Sequence, residues 1–140
     1  MNYSTIKKIC ELINVLPTEL QIEHNYEHSY TITNGNEKYE VDLYDNAIER
    51  AKEYITENLW AFNINFIGAH SKLNSAALEA LDKSRQEICE DANDLVKAVI
   101  TDLDYFCEDA IRCDGLGHFL SSYDGNYEEL NSEIVLWRTN

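Results

Sequence analysis

The chain has 140 residues, 26 Asp and Glu against 11 Lys and Arg, a formal net charge of −15, and 44% hydrophobic residues. That size and apolar content predict one globular domain, residues 1–140, and the low counts of Gly (5) and Pro (1) argue against disorder. So large a negative surplus opposes direct binding to phosphate backbones or to an anionic membrane, and it favours a basic protein surface as partner.

Apolar runs such as residues 59–62 fall far short of the roughly 20 residues a membrane span needs, and Met1-Asn2-Tyr3-Ser4 lacks the layout of a signal peptide. A cytoplasmic location is therefore expected. Cys10, Cys89, Cys107 and Cys113 form no C-x-x-C pair, and they read as free structural thiols.

Ser4 is a candidate cap for a first helix over residues 5–15, in which Ile6, Ile9, Cys10 and Ile13 share a face, and Pro17 stops it. From Leu20 the period changes to alternation: Leu20, Ile22 and His24, then Tyr30 and Ile32, then Tyr39, Val41 and Leu43. The Asn34-Gly35-Asn36 step predicts a tight turn pairing residues 29–33 with 38–43 in a hairpin. Asp45 opens a periodic segment over residues 46–61, with Ile48, Ala51, Ile55, Leu59 and Phe62 on one face.

Residues 63–73 are ambiguous, a helical turn and then a loop. Asn74 or Ser75 caps a short helix carrying Leu78 and Leu81, which runs toward a longer one over residues 83–101 with Ile88, Ala92, Leu95 and Val99 as its buried face. Asp102 caps a last helix over residues 103–112, and Gly115 ends it. Residues 114–125 read as a structural joint, with no helix starting directly after its glycines. Residues 127–130 and 133–138 flank Asn131-Ser132 as a second hairpin, and Ile134-Val135-Leu136-Trp137 is apolar enough for burial on both faces. The expected class is α+β: a small antiparallel sheet from two hairpins with about four helices packed on one side.

The acids are distributed unusually. Asp45, Glu49, Glu53 and Glu57 are spaced four apart, rising about 6 Å per step along a helix, and Glu87, Glu90, Asp91 and Asp94 flank the next long helical segment. Residues 101–133 hold nine acids and one base, Arg112. Repeated like-charge neighbours at this spacing cost helix stability where Lys would have added it. A plain solvated surface accounts for such acids; so does a row of carboxylates imitating phosphates and binding a partner's basic nucleic-acid channel. The eight carboxylates named are the candidate partner-binding residues.

Catalytic signatures are sparse. Asp114, His118 and Asp124, with His70 elsewhere, could be drawn as a carboxylate–imidazole metal site, and Cys113 with His118 as a nucleophile and base. No H-E-x-x-H, G-x-S-x-G, P-loop or EF-hand pattern occurs, so capping or core roles are the simpler assignment. The expectation is a protein without enzymatic activity, cofactor or metal.

Leu59-Trp60-Ala61-Phe62-Asn63, the segment Asp114-Gly115-x-Gly117-His118-Phe119-Leu120-x-x-Tyr123-Asp124-Gly125, and Trp137-Arg138-Thr139-Asn140 together resemble a family of small acidic phage-type proteins. The resemblance covers the chain from about Tyr39 onward and implies a viral or mobile-element origin. Proteins of that kind are often inhibitors of host nucleases, including anti-CRISPR and anti-restriction proteins. It thus implies a nucleic-acid mimic acting on a host defence complex in the host cytoplasm. The alternatives are an interaction module with incidental acidity, or a metal-dependent hydrolase using Asp114, His118 and Asp124.

Overall fold

In the computed structural model, which describes residues 1–140, the chain divides into two units, Met1–Ala51 with Asp114–Asn140, and Lys52–Cys113. The class is α+β, with one antiparallel sheet of five strands. No helix is long and apolar enough to cross a membrane.

The first unit opens with α1 (Tyr3–Ile13), two residues earlier than the spacing predicts. Asn2 caps it in place of Ser4: its Oδ1 accepts from the Thr5 backbone N–H at 2.8 Å, one of the donors a helix start leaves unpaired. Strands β1 (Gln21–Tyr26), β2 (Ser29–Asn34) and β3 (Glu37–Leu43) follow as consecutive hairpins, and Gly35 at φ 63° supplies the turn that Asn-Gly predicts. Near the C-terminus β4 (Glu128–Glu129) pairs with β5 (Ile134–Arg138), and β5 lies beside β3, so the sheet order is β1-β2-β3-β5-β4.

The pleat gives that sheet two different faces. On one, Ile32, Tyr39, Val41 and Leu136 enclose Ile9 of α1 in a core cluster. On the other stand Glu40, Asp42, Val135 and Trp137, the residues that alternate with them. Helix α2 (Tyr44–Glu57) leaves the end of β3, and its Asn46 and Arg50 reach this second face. Helices therefore lie on both faces within this unit, not on one side. The reason is a buried acid.

Asp42 is fully buried. Its carboxylate accepts from Tyr26 Oη (2.9 Å), its neighbour's N–H on Leu43 (2.7 Å) and Asn46 Nδ2 (3.0 Å), and it pairs with Arg50 at 3.4 Å. The Arg50 guanidinium also lies 4.9 Å above the Trp137 ring. Burial of β5 at Val135, Leu136 and Trp137 matches the expected two-sided strand.

The second unit is helical: the rest of α2, a 3-10 turn (Leu59–Ala61), α3 (Ile64–Ala69), α4 (Ser75–Ile88), a 3-10 turn (Cys89–Ala92), α5 (Asn93–Val99) and α6 (Leu103–Asp114). Asn74 caps α4 (2.9 Å to Ala77 N) and Asp102 caps α6 (3.0 Å to Tyr105 N). With α7 (Leu116–Leu120), which starts directly after Gly115 at φ 88°, there are seven α-helices, more than the four expected. The segment 83–101 is not one helix. Cys89 stands at φ 53° and ψ −124°, a conformation that breaks α4 and resets the helical phase. Ala92 is buried as expected, but Val96 is buried beside it, and Ile88 (47%) and Leu95 (44%), expected inside, are exposed.

Replacing Asp42 by Ala strips Tyr26, Asn46 and Arg50 of their shared acceptor, and is expected to lower the unfolding free energy by about 2–3 kcal/mol in urea denaturation. Asp42→Asn keeps one oxygen acceptor and is expected to lose less. A loss below about 0.5 kcal/mol for Asp42→Ala would remove this carboxylate from the centre of the fold.

Candidate functional site

All eight carboxylates singled out by spacing are exposed. They do not all belong to one place. Asp45 and Glu49 lie in the part of α2 that belongs to the first unit; Glu53, Glu57, Glu87, Glu90, Asp91 and Asp94 lie in the second.

Within the second unit, Asn93 gathers most of them. Its Oδ1 accepts from the Trp60 backbone N–H (3.2 Å) and its Nδ2 donates to the Thr56 carbonyl (2.8 Å), so the end of α2 is stitched to the start of α5. Glu57 follows one of the bonded residues and Asp94 the other. Glu90 and Asp91 sit in the 3-10 turn that leads into Asn93, and that turn packs on the Leu59–Ala61 turn. Glu53 lies one turn back along α2, and Glu87 one turn back along α4.

None of these six acids forms an ion pair; of the nearby cations, Lys83 and Lys97 are exposed on the same helices without an ion pair, and Lys52 and Arg85 are engaged elsewhere. Lys52 pairs with Asp104 (2.9 Å) and Glu108 (3.6 Å). Arg85 pairs with Asp82 (2.7 Å) and donates to the carbonyls of Trp60 (3.0 Å) and Phe62. The surface that results is strongly negative, but it is not purely charged. Ile88 and Leu95 are exposed among the acids, and Tyr54, half exposed, sits between Glu53 and Glu57 in sequence. Periodicity places Ile88 and Leu95 in the core, because nothing in the sequence marks Cys89, a non-glycine residue, as the point where the phase resets.

The residues drawn as a metal site do not converge. No three His, Cys, Asp or Glu side chains anywhere in the chain are placed to hold a metal ion. Asp124 Oδ1 accepts from the Asn126 N–H (2.9 Å) in a local turn, and His118 packs edge-on against Phe119. The Cys113 thiol lies 3.9 Å from Asp109 Oδ1.

His70 is a buried core group. Its Nε2 donates to Asp109 Oδ2 at 2.7 Å, Phe66 and Phe106 flank the ring, and Thr101 donates to its carbonyl from both N (2.9 Å) and Oγ1 (3.1 Å). No family model, curated protein or solved structure matches the chain.

The hydrogen bond from His70, joined by that from Arg112, holds the Asp109 carboxyl below the usual carboxylate range. A depressed carboxylate adds stability that is complete above its unfolded pKa, 3.8, and is lost as pH falls through the lower folded value. Thermal melts between about pH 6 and pH 2 should therefore show a steeper loss below about pH 4 in the wild type than in Asp109→Asn. Parallel curves for the two proteins would refute the coupling.

Proposed function

We propose that the protein is a non-enzymatic inhibitor whose carboxylates bind a basic, nucleic-acid-binding surface of a host defence complex, of the anti-CRISPR or anti-restriction kind. The observation that carries this reading is the group of exposed acids around Asn93, with no cation paired to it. A chain that commits Lys52 and Arg85 to other partners leaves only Lys83 and Lys97 beside these six acids, and the net negative field steers a basic partner toward it.

The spacing supports mimicry. Glu53 and Glu57 rise about 6 Å along the helix. Alternate phosphates of one DNA strand advance about 6.8 Å along the axis, twice the single step. Occupancy is the mechanism: Lys and Arg of the partner pair with carboxylates and are closed to DNA or RNA. Ile88 and Leu95 favour a protein as the thing bound, since a phosphate backbone offers them nothing.

The test uses Glu57→Lys, Asp91→Lys and Asp94→Lys combined, beside wild type, in a bacterial lysate at low and moderate salt. Wild type should retain a discrete nucleic-acid-handling complex that duplex DNA or RNA competes off, and the triple variant should retain it about tenfold less or worse. Retention indifferent to the three reversals and to competing nucleic acid would make the acidity a solubility device and sink the reading.

A further inference from the structure

The two motif segments that the acidic surface does not use, residues 114–125 and 137–140, are stitched together in the first unit, and their Asp124, Trp137 and Arg138 line one part of a cleft of about 360 Å³. That volume falls at the small end of ligand sites, which run from about 300 to 1,000 Å³. The Ser121 hydroxyl donates to the Arg138 carbonyl (2.5 Å), and the Ser122 hydroxyl to that of Thr139 (2.7 Å). Gly117 is packed so closely that a Cβ there would stand 2.6 Å from the Gly125 carbonyl oxygen. The backbone that carries Asp124 and Arg138 is therefore tied down on that side of the cleft.

The chemistry of the lining selects a cation on an apolar stem. Tyr39, Tyr127 and Leu136 supply aromatic and aliphatic surface, while Glu37, Asp124 and Glu128 supply three carboxylates against the one guanidinium of Arg138. That guanidinium is already engaged: it pairs with Glu37 (3.6 Å), donates from Nε to the Asn140 oxygen (2.6 Å) and stacks 3.6 Å above the Tyr123 ring. Glu37 is spent on Arg138 and on the Tyr39 hydroxyl (2.9 Å), and Asp124 on its turn. Glu128 is exposed and its side chain makes no hydrogen bond or ion pair, so it is the carboxylate left to receive a ligand. An anion would meet a net surplus of two negative charges here, and a neutral apolar ligand would strip water from carboxylates without replacing it.

The geometry points to a binding site for an aliphatic ammonium or guanidinium group, seated with its charge at Glu128 and its stem along Tyr127, Tyr39 and Leu136. Such a group comes either as a free small amine or as the side chain of a Lys or Arg on a partner. The site shares no residue with the acidic surface, and its failure or success leaves the inhibitor reading untouched.

The probes are agmatine and an acetylated, amidated Gly-Arg-Gly peptide, titrated at millimolar concentration into the full ¹⁵N-labelled chain. Amide shifts should concentrate at Tyr39, Tyr127, Glu128 and Leu136. Affinity should fall about fivefold in Glu128→Gln and also in Tyr127→Leu, two changes at half-buried or exposed positions. Equal affinity for the two probes assigns the site to a free amine; tighter binding of the peptide assigns it to a partner's side chain. Absent shifts, shifts spread evenly over the acidic helices, or shifts that both variants leave unchanged would overturn the proposal.

Discussion

The first unit depends on a single buried carboxylate. Asp42 brings no apolar surface to the interior, and removing an ion from water costs several kcal/mol, so its place is secured only by the partners that converge on it. Those partners come from three elements: Tyr26 at the end of β1, the Leu43 N–H of its own strand, and Asn46 and Arg50 of α2. Meeting their demand fixes where α2 starts. It also draws Arg50 over Trp137 of β5, which covers the sheet face that α1 leaves open. A chain with eleven basic residues thus spends one of them on an interior acid.

The second unit settles its charges in the opposite way, by keeping the acids in water. Like charges four apart on α2 cost a few tenths of a kcal/mol per pair. Burying Ile55 and Leu59, both fully buried on the other side of the same segment, returns about 1.5–3 kcal/mol each. The apolar stripe outweighs the repulsion several times over, so the helix tolerates a face that its intrinsic preferences would not choose. Salt limits the repulsion to near neighbours, since exposed charges more than about 8 Å apart are largely screened at physiological ionic strength.

What the sequence made legible was local. The Asn34-Gly35 turn, the Asn74 and Asp102 caps, and the exposure of the helical acids all follow from interactions within a few residues. Asp42 was illegible because alternation with Val41 and Leu43 assigns it to a solvated face; only Tyr26, sixteen residues away, and the start of α2 show that this face is covered. The gathering of Glu57 with Asp94 hangs on one Asn93 side chain reaching back 37 residues, which no spacing rule contains. Ile88 and Leu95 were misplaced for a related reason: a helical period projects burial only while the helix continues, and Cys89 interrupts it.

That misplacement bears on how an acidic surface gains selectivity. Carboxylates raise the rate of encounter with any basic protein and discriminate poorly among them, because their attraction is long-ranged and screened alike for all. Apolar side chains act only in contact, at about 25 cal/mol per Å² removed from water, and only against a surface shaped to cover them. Ile88 and Leu95, each nearly half exposed beside Glu87, Asp91 and Asp94, join the two modes on one stretch of chain. On the proposed inhibitor reading, the charges would bring a basic surface close, and the apolar pair would decide which basic surface stays.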